Sequence, residues 1–519
     1  MRLGRAVLAC VLLLGGAAPG SAKVFRLATS TDATTLDPHA NNALHNYLLL
    51  QQVYEPLIRR DDELKLIPAL ALSWTQVEPT RWRFALRPGV RFHEGEPFGA
   101  EDAAFSVARA MAPTSNFTIY VDTVAEAVAV DGLTLDVVTR VPDAALPEKL
   151  TRVLMLSRRW AEANGSSRPQ NFRDREDIVA ARRTNGTGPF VIAERVNDQG
   201  TVLRRQGGWW GGVAPANGVT EYRHIAIGSD ATRVAALLSG EVDMLHTVPT
   251  QAVERLRATP DVQLLTGLEN RTVMLGFDHE RETLQGGGPN PLRDLRVRRA
   301  IELAIDAEAI ASRSMRGQAV ATGAMWTRYV NGWSSEMENR PAVDRAAARR
   351  LLAEAGFPDG FSTSLDCATG PYEAACNAIP PMLAQIGIRV SLQIVPAAQY
   401  SLRLQRRETA MHVLAWGVPT FDALYTLRAV MASRAVGGAG SWNVGGYASE
   451  RVDALVRAIE TEPDAGRRRA LIAEAHAAHR ADLGHLPLFH QTLNWAARRG
   501  VHVTHRADNL VEAIAVTLD

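Results

Sequence analysis

Four histidines crowd one late stretch. His476 and His479 stand three apart on a helical pattern, and His485 and His490 follow. Histidines at i and i+3 share a helix face and can share a metal ion. No cysteine or acidic partner stands at ligand spacing here, and the alanine-rich surroundings read as packing, so no metal set is assigned. Asn185-Gly186-Thr187-Gly188-Pro189-Phe190 carries the glycines of a phosphate-cradling loop. No Gly-Lys-Ser/Thr follows it and no G-x-G-x-x-G occurs, so neither phosphate motif is present. The serines lack the strand–turn–helix setting of an activated nucleophile. With 56 acidic residues, paired carboxylates arise by chance. The arginine run from Arg293 to Arg299 reads as a solvated helical face. No catalytic set and no cofactor motif emerges.

The elements that must position any binding groups are clearest from Arg81 to Arg109. Trp82, Phe84 and Leu86 alternate with Arg81, Arg83 and Arg87, the period of a strand with one apolar face. Pro88-Gly89 is turn chemistry, and the alternation resumes at Val90 and Phe92, which predicts a β-hairpin. The period then becomes helical through Ala100, Ala103, Ala104, Val107, Ala108 and Met111. Glu101 and Asp102 occupy the first turn, where the helix dipole favours negative charge. Phe25 to Ala28 and Thr272 to Phe277 read as strands, and Pro291 to Asp306 opens a helix.

A chain of 519 residues exceeds one ordinary core and predicts two or three domains. A formal charge of +1 argues against a nucleic-acid surface. Arg2 and Arg5, the apolar run Ala6 to Leu14, and Gly20-Ser21-Ala22 form a secretory signal peptide over residues 1–22, cleaved after Ala22. No later stretch approaches a membrane span in length. The mature chain is therefore expected to be exported, periplasmic and not membrane-embedded. Cys10 lies inside the apolar run, not at its end, which argues against a lipid anchor. Cys367 and Cys376 remain in an oxidising compartment, either as a disulfide or as two separate buried thiols.

The stretch R-W-R-F-A-L-R-P-G-V-R-F-H-E-G-E-P-F-G-A-E-D-A-A-F-S closely resembles the signature of the family 5 extracellular solute-binding proteins, the dipeptide-, oligopeptide- and nickel-type receptors of ABC importers. Gly99 departs from it, standing where the family usually has a capping threonine. Further matches follow in order: T-L-D-P-H at Thr35, Y-E-P-L at Tyr54, G-T-G-P-F at Gly186, L-S-G-E-V-D at Leu238, and the helix ending in L-L-A-E-A-G-F-P-D-G-F at Phe361. The resemblance covers essentially the whole mature chain.

It implies a bilobal α/β periplasmic-binding fold of type II, of the large three-subdomain (cluster C) kind. Lobe I would comprise residues 23–270 and 480–519, with a subdomain at 61–184, and lobe II residues 271–479. It implies a monomer that captures a small solute between its lobes and delivers it to ABC permease subunits, without enzyme activity. A sensor role or an exported enzyme are the alternatives. The resemblance puts the ligand-binding candidates on cleft loops: Asn42, His45, Tyr47, Met325, Trp326, Tyr372, Trp416, Phe421, Asp422, Trp442 and Asn443. Pro419 stands where peptide-binding members often carry the aspartate for an α-ammonium group, and no arginine precedes Leu383 for a carboxylate. Free dipeptides would need Asp422 and Glu373 as substitutes, since an unpaired buried charge is costly. The aromatic candidates suggest a peptide-like or other ring-bearing, partly apolar solute.

Overall fold

The protein is described by a computed structural model covering residues 22–212, 215–284, 287–435 and 438–519. The expected signal peptide up to Ser21, with Cys10, lies outside the described residues. No helix among the described residues is long and apolar enough to cross a membrane.

Two long strands tie the molecule together. Val262–Phe277 and His485–Arg498 run antiparallel along almost their full length, and their pairing loses step between Leu268 and Thr272. On one side of that break, His485–Arg498 pairs with Met244–Leu245. The sheet continues there through Val24–Thr29, Glu221–Ala226, Gly200–Arg205 and Phe190–Val196. On the other side, Val262–Phe277 pairs with Met411–Gly417, followed by Ser362–Ala368 and Arg389–Val395. The chain thus has two lobes and crosses between them twice. Phe25, Tyr54, Tyr222 and Trp495 centre the first lobe's core. Leu275, Ile301, Ile379 and Phe489 centre one core of the second, and Met274, Trp326, Trp416 and Ile472 another.

The expected return to the first lobe near residue 480 falls inside the helix Ala465–Asp482. Ile472, Ala475 and Ala478 of that helix pack in the second lobe, and His485 to His490 still pair with Gly276 to Thr272. Beyond His490 the strand pairs with Leu268 to Val262.

A third unit has its own core. The strands Ala71–Glu78, Arg81–Leu86, Thr134–Thr139 and Val124–Ala129 form a four-stranded antiparallel sheet in that order. The helix Ala100–Ala110 covers one face, burying Ala103 and Val107 against Phe84, Leu86, Leu135 and Val137. This core ends at Met155, whereas Leu156, Trp160 and Ala180, also within the expected 61–184 span, join the first lobe.

The predicted hairpin of Arg81–Leu86 with Val90 and Phe92 does not form. Arg81–Leu86 is a central strand whose two edges are taken by Ala71–Glu78 and Thr134–Thr139. Residues 90–98 close on themselves instead, Phe92 N–H donating to Glu96 O and Phe98 N–H to Val90 O. The alternation itself holds: Phe84 and Leu86 are buried, while Arg81 and Arg83 both pair with Asp136. Gly99 caps the helix without a side chain, because Asp102 accepts its N–H at 3.0 Å. In the G-T-G-P-F turn, a Cβ at Gly186 would lie 2.0 Å from Val53 O, so the glycine serves close packing.

Candidate ligand-binding cleft

A cavity of about 250 Å³ lies between the third unit and the second lobe. Ile119, Asp122, Ala145 and Lys149 wall it on one side, and Thr420, Asp422, Leu424, Tyr425, Arg428 and Ser441 on the other. A larger space of about 660 Å³, lined by Arg407, Arg434, Trp442 and Asn443, shares Gly438 and Ser441 with it. The helix Ala423–Thr426 presents Tyr425, and its N-terminus is capped by Asp422. The strand Met411–Gly417 presents Trp416.

Three aromatic rings form a shelf beside these spaces. Trp416 stacks on Tyr425 with centroids 5.4 Å apart and planes 15° apart, and Trp442 lies 5.6 Å from Trp416. The indole N–H of Trp416 donates to Thr426 Oγ1 at 3.1 Å. Trp416 is 7% exposed and Trp442 is 43% exposed, so Trp442 is the ring with free surface for a solute. Burial raises the Tyr425 hydroxyl to about 12, with Tyr120 and Asp122 adding to the effect, so it stays a neutral hydrogen-bonding group.

The charged groups facing the cavity are partly consumed. Lys149 Nζ pairs with Asp143 and Asp122, both at 2.8 Å. Burial disfavours the charged Lys149, but these two carboxylates outweigh it and raise its pKa. Arg428 stands 3.8 Å from Glu460 with 43% of its side chain exposed, and is a cation open to the cleft. Asp422 is fully engaged by Arg468, Asn331 and the N–H of Leu424.

The remaining candidates scatter. Asn42 Oδ1 accepts from Tyr120 OH at 3.2 Å. His45 is half-buried with no partner at Nε2, and burial lowers its pKa. Tyr47 and Phe421 meet at a separate small cavity, where the Tyr47 hydroxyl donates to Thr151 O at 3.1 Å. Tyr372 donates to Gln491 Oε1, beside the crossing strands, and lines a different space of about 340 Å³. Met325 and Trp326 are each 1% exposed and sit in the second lobe's core, where Trp326 meets His476 edge-on at 5.4 Å. Their apolar bulk is spent on packing and cannot touch a solute without rearrangement. Asn443 is also buried, its amide holding Ala432 O and Tyr447 O. The sequence reading passed over Asp122, Lys149, Tyr425 and Arg428. Only Tyr425 carried a signal, three residues beyond Asp422 at the start of a helix.

The sulfurs of Cys367 and Cys376 are bonded, with Cα atoms 6.6 Å apart. His479 Nε2 and His485 Nδ1 approach to 3.1 Å, but among the described residues no group of three or more potential ligands could hold a metal ion.

Residues 65–438 match the bacterial extracellular solute-binding proteins, family 5 middle. The glutathione-binding protein GsiB of Shigella flexneri is 24% identical over 487 residues, covering 90% of this chain and 89% of that one. The periplasmic binding protein DppA of Helicobacter pylori, solved with the peptide STSA, aligns with a TM-score of 0.72 at 22% identity, over 95% of this chain and 98% of that one. The substrate-binding protein CtaP of Listeria monocytogenes aligns with a TM-score of 0.83 at 17% identity, over 96% and 99%.

Proposed function

The chain belongs to the family 5 bacterial extracellular solute-binding proteins, and from that premise we propose that it captures a small solute between its lobes and delivers it to an ABC permease. The observation that carries this reading is the 250 Å³ cavity with walls from both sides of the two crossing strands. A solute touched by both walls favours the approached state by its differential affinity. The break between Leu268 and Thr272, where ladder hydrogen bonds are lost, is the natural hinge. We take lobe II as residues 272–490 and lobe I as the remainder, with the third unit inserted in it. The protein works as an exported monomer in the periplasm, without catalysis.

The solute is a peptide-like or other ring-bearing molecule. The Trp416–Tyr425–Trp442 shelf supplies apolar contact, and Arg428 and Asp122 supply charge. The names of GsiB and of the DppA complex, both of which bind peptide-like ligands, support the class. Of the expected contacts, Trp442 is the best placed, Trp416 backs it by stacking with Tyr425, and Met325, Trp326 and Asn443 act as structural support.

Native mass spectrometry of gently purified protein tests this directly, because a tight ligand copurifies. A thermal-shift screen follows: a ligand at 100 times its Kd adds about 2.7 kcal/mol. The reading fails if peptides, peptide conjugates and metal chelates all leave the melting point unmoved and nothing copurifies.

A further inference from the structure

A second, more enclosed cavity of about 50 Å³ lies in the first lobe behind Phe421. Its walls carry four arginines: Arg59, Arg60, Arg152 and Arg506. Three are matched by carboxylates. Arg59 pairs with Glu512, Arg60 with Glu148 at 2.6 Å, and Arg506 with Asp508 at 2.8 Å. Arg152 is not. Its guanidinium lies 3.8 Å from the centroid of the Tyr47 ring, and its buried Nε has no partner. Among the described residues it makes no ion pair. Asp508, whose charge acts on it, is already held by Arg506 through both oxygens. Glu55, also on the wall, is pushed up to about 7 by burial, although the Trp210 indole N–H donates to it at 2.7 Å. It therefore carries only part of a negative charge at neutral pH.

A guanidinium does not shed its proton in a protein, so burial without a partner must be compensated by something else. The cation–π contact with Tyr47 contributes on the order of 1 kcal/mol and the Tyr120 oxygen takes one hydrogen bond, but neither is a charged partner and Nε stays without an acceptor. We propose that this cavity receives one carboxylate-sized anion, with Arg152 as its partner. The space suits a small group and not a bulky one, since about 10–15 Å³ of such space already holds a water. Phe421 reaches in from the second lobe under the Arg60 guanidinium, 4.4 Å from its centroid, so the occupant is bounded by both lobes. The anion comes either from solution or as the carboxylate of the captured solute. The second source rests on the solute-receptor reading above.

The test uses the mature chain, stripped of solute by unfolding and refolding. It is melted in sodium formate and in the sodium salt of a bulky sulfonate at equal ionic strength. Formate should raise the midpoint by several degrees over the sulfonate, and Arg152→Gln should erase that difference. Should the variant not fold, a crystal of the unaltered protein in sodium bromide should show an anomalous peak against Arg152. A crystal with its copurified solute separates the sources, because a solute carboxylate on Arg152 identifies the second. Equal midpoints, together with a cavity holding neither bromide nor a solute carboxylate, overturn the proposal. A solute bound at the aromatic shelf with the Arg152 cavity empty would sink this inference alone and leave the receptor reading standing.

Discussion

Asp422 and Arg468 meet through two charge-assisted hydrogen bonds, both 2.7 Å long and both buried. The same carboxylate accepts from Asn331 Nδ2 at 3.0 Å and from the Leu424 N–H at 2.9 Å. Four donors saturate it, so it has nothing left for a solute ammonium even though it borders the cleft. Removing one partner of a buried ion pair strands the other, which costs about 3–5 kcal/mol. Asp422→Ala should therefore lower unfolding stability by that amount in urea titration. Near-native stability combined with lost solute binding would instead make Asp422 a solute anchor.

The two cleft tryptophans should part company on mutation. Trp442 is 43% exposed, so Trp442→Ala should leave the ligand-free melting point nearly unchanged. Loss of its apolar contact should weaken solute binding by about 1–3 kcal/mol, roughly tenfold to a hundredfold. Trp416 is 7% exposed and stacked on Tyr425, so its replacement should cost about 3–5 kcal/mol of stability as well. Titration of intrinsic fluorescence and melting of both variants decide the matter. Equal effects on stability would contradict the burial difference.

Periodicity and motif order made the scaffold legible. The strand Arg81–Leu86, the helix Ala100–Ala110 and the tight glycine turn at Gly186 all stand where local spacing puts them. Strand partners were not legible. Whether Arg81–Leu86 pairs with Val90 or with Thr134–Thr139 is decided by contacts about fifty residues away, which no local period encodes. The site was half legible for the same reason. Trp326 and Trp442 look alike as aromatics on loops, yet one fills a core and the other faces solvent. Asp122 and Arg428 have no local mark, because they become cleft residues only when the third unit and the second lobe face each other.

The Cys367–Cys376 bond closes a short loop with a sequence separation of 9. By loop-closure entropy, a ring of that size stabilises the fold by about 3 kcal/mol. Both sulfurs are buried in the second lobe's core, next to Leu365 and Ile379. Replacing both cysteines with alanine should lower the unfolding free energy from urea titration by that order. The first lobe's core, which shares no residue with that cluster, should be spared in hydrogen exchange. No change in the unfolding free energy would mean that the bond adds nothing beyond the surrounding packing.

Acid should unfold this protein through its histidines. Burial lowers His279 to about 3 and His412 and His476 to about 4, and holds His479 and His485 well below their ordinary range. A histidine whose folded pKa is depressed binds its proton more readily when unfolded, so stability is fully present above about pH 6.5 and falls as pH drops toward 4. For His412 alone the loss at pH 4 is on the order of 3 kcal/mol. Glu55 acts the other way, because its raised folded value means the folded state holds the extra proton below about 7. Burial also raises Asp102, Glu148, Asp366 and Glu460, but His39, His224 and His246 are depressed as well, to about 3, 3 and 4, so the histidines outweigh the raised carboxyls and the net slope should be a loss between pH 6.5 and 4. His412 is the sharpest site to test. Its Nε2 has no partner, and it packs where a Cβ on Gly276 would come within 2.2 Å. His412→Gln should flatten the stability profile measured by urea titration at pH 7.5, 6.0 and 5.0. A profile already flat over that range in the unaltered protein would show that these rings carry their protons inside the fold.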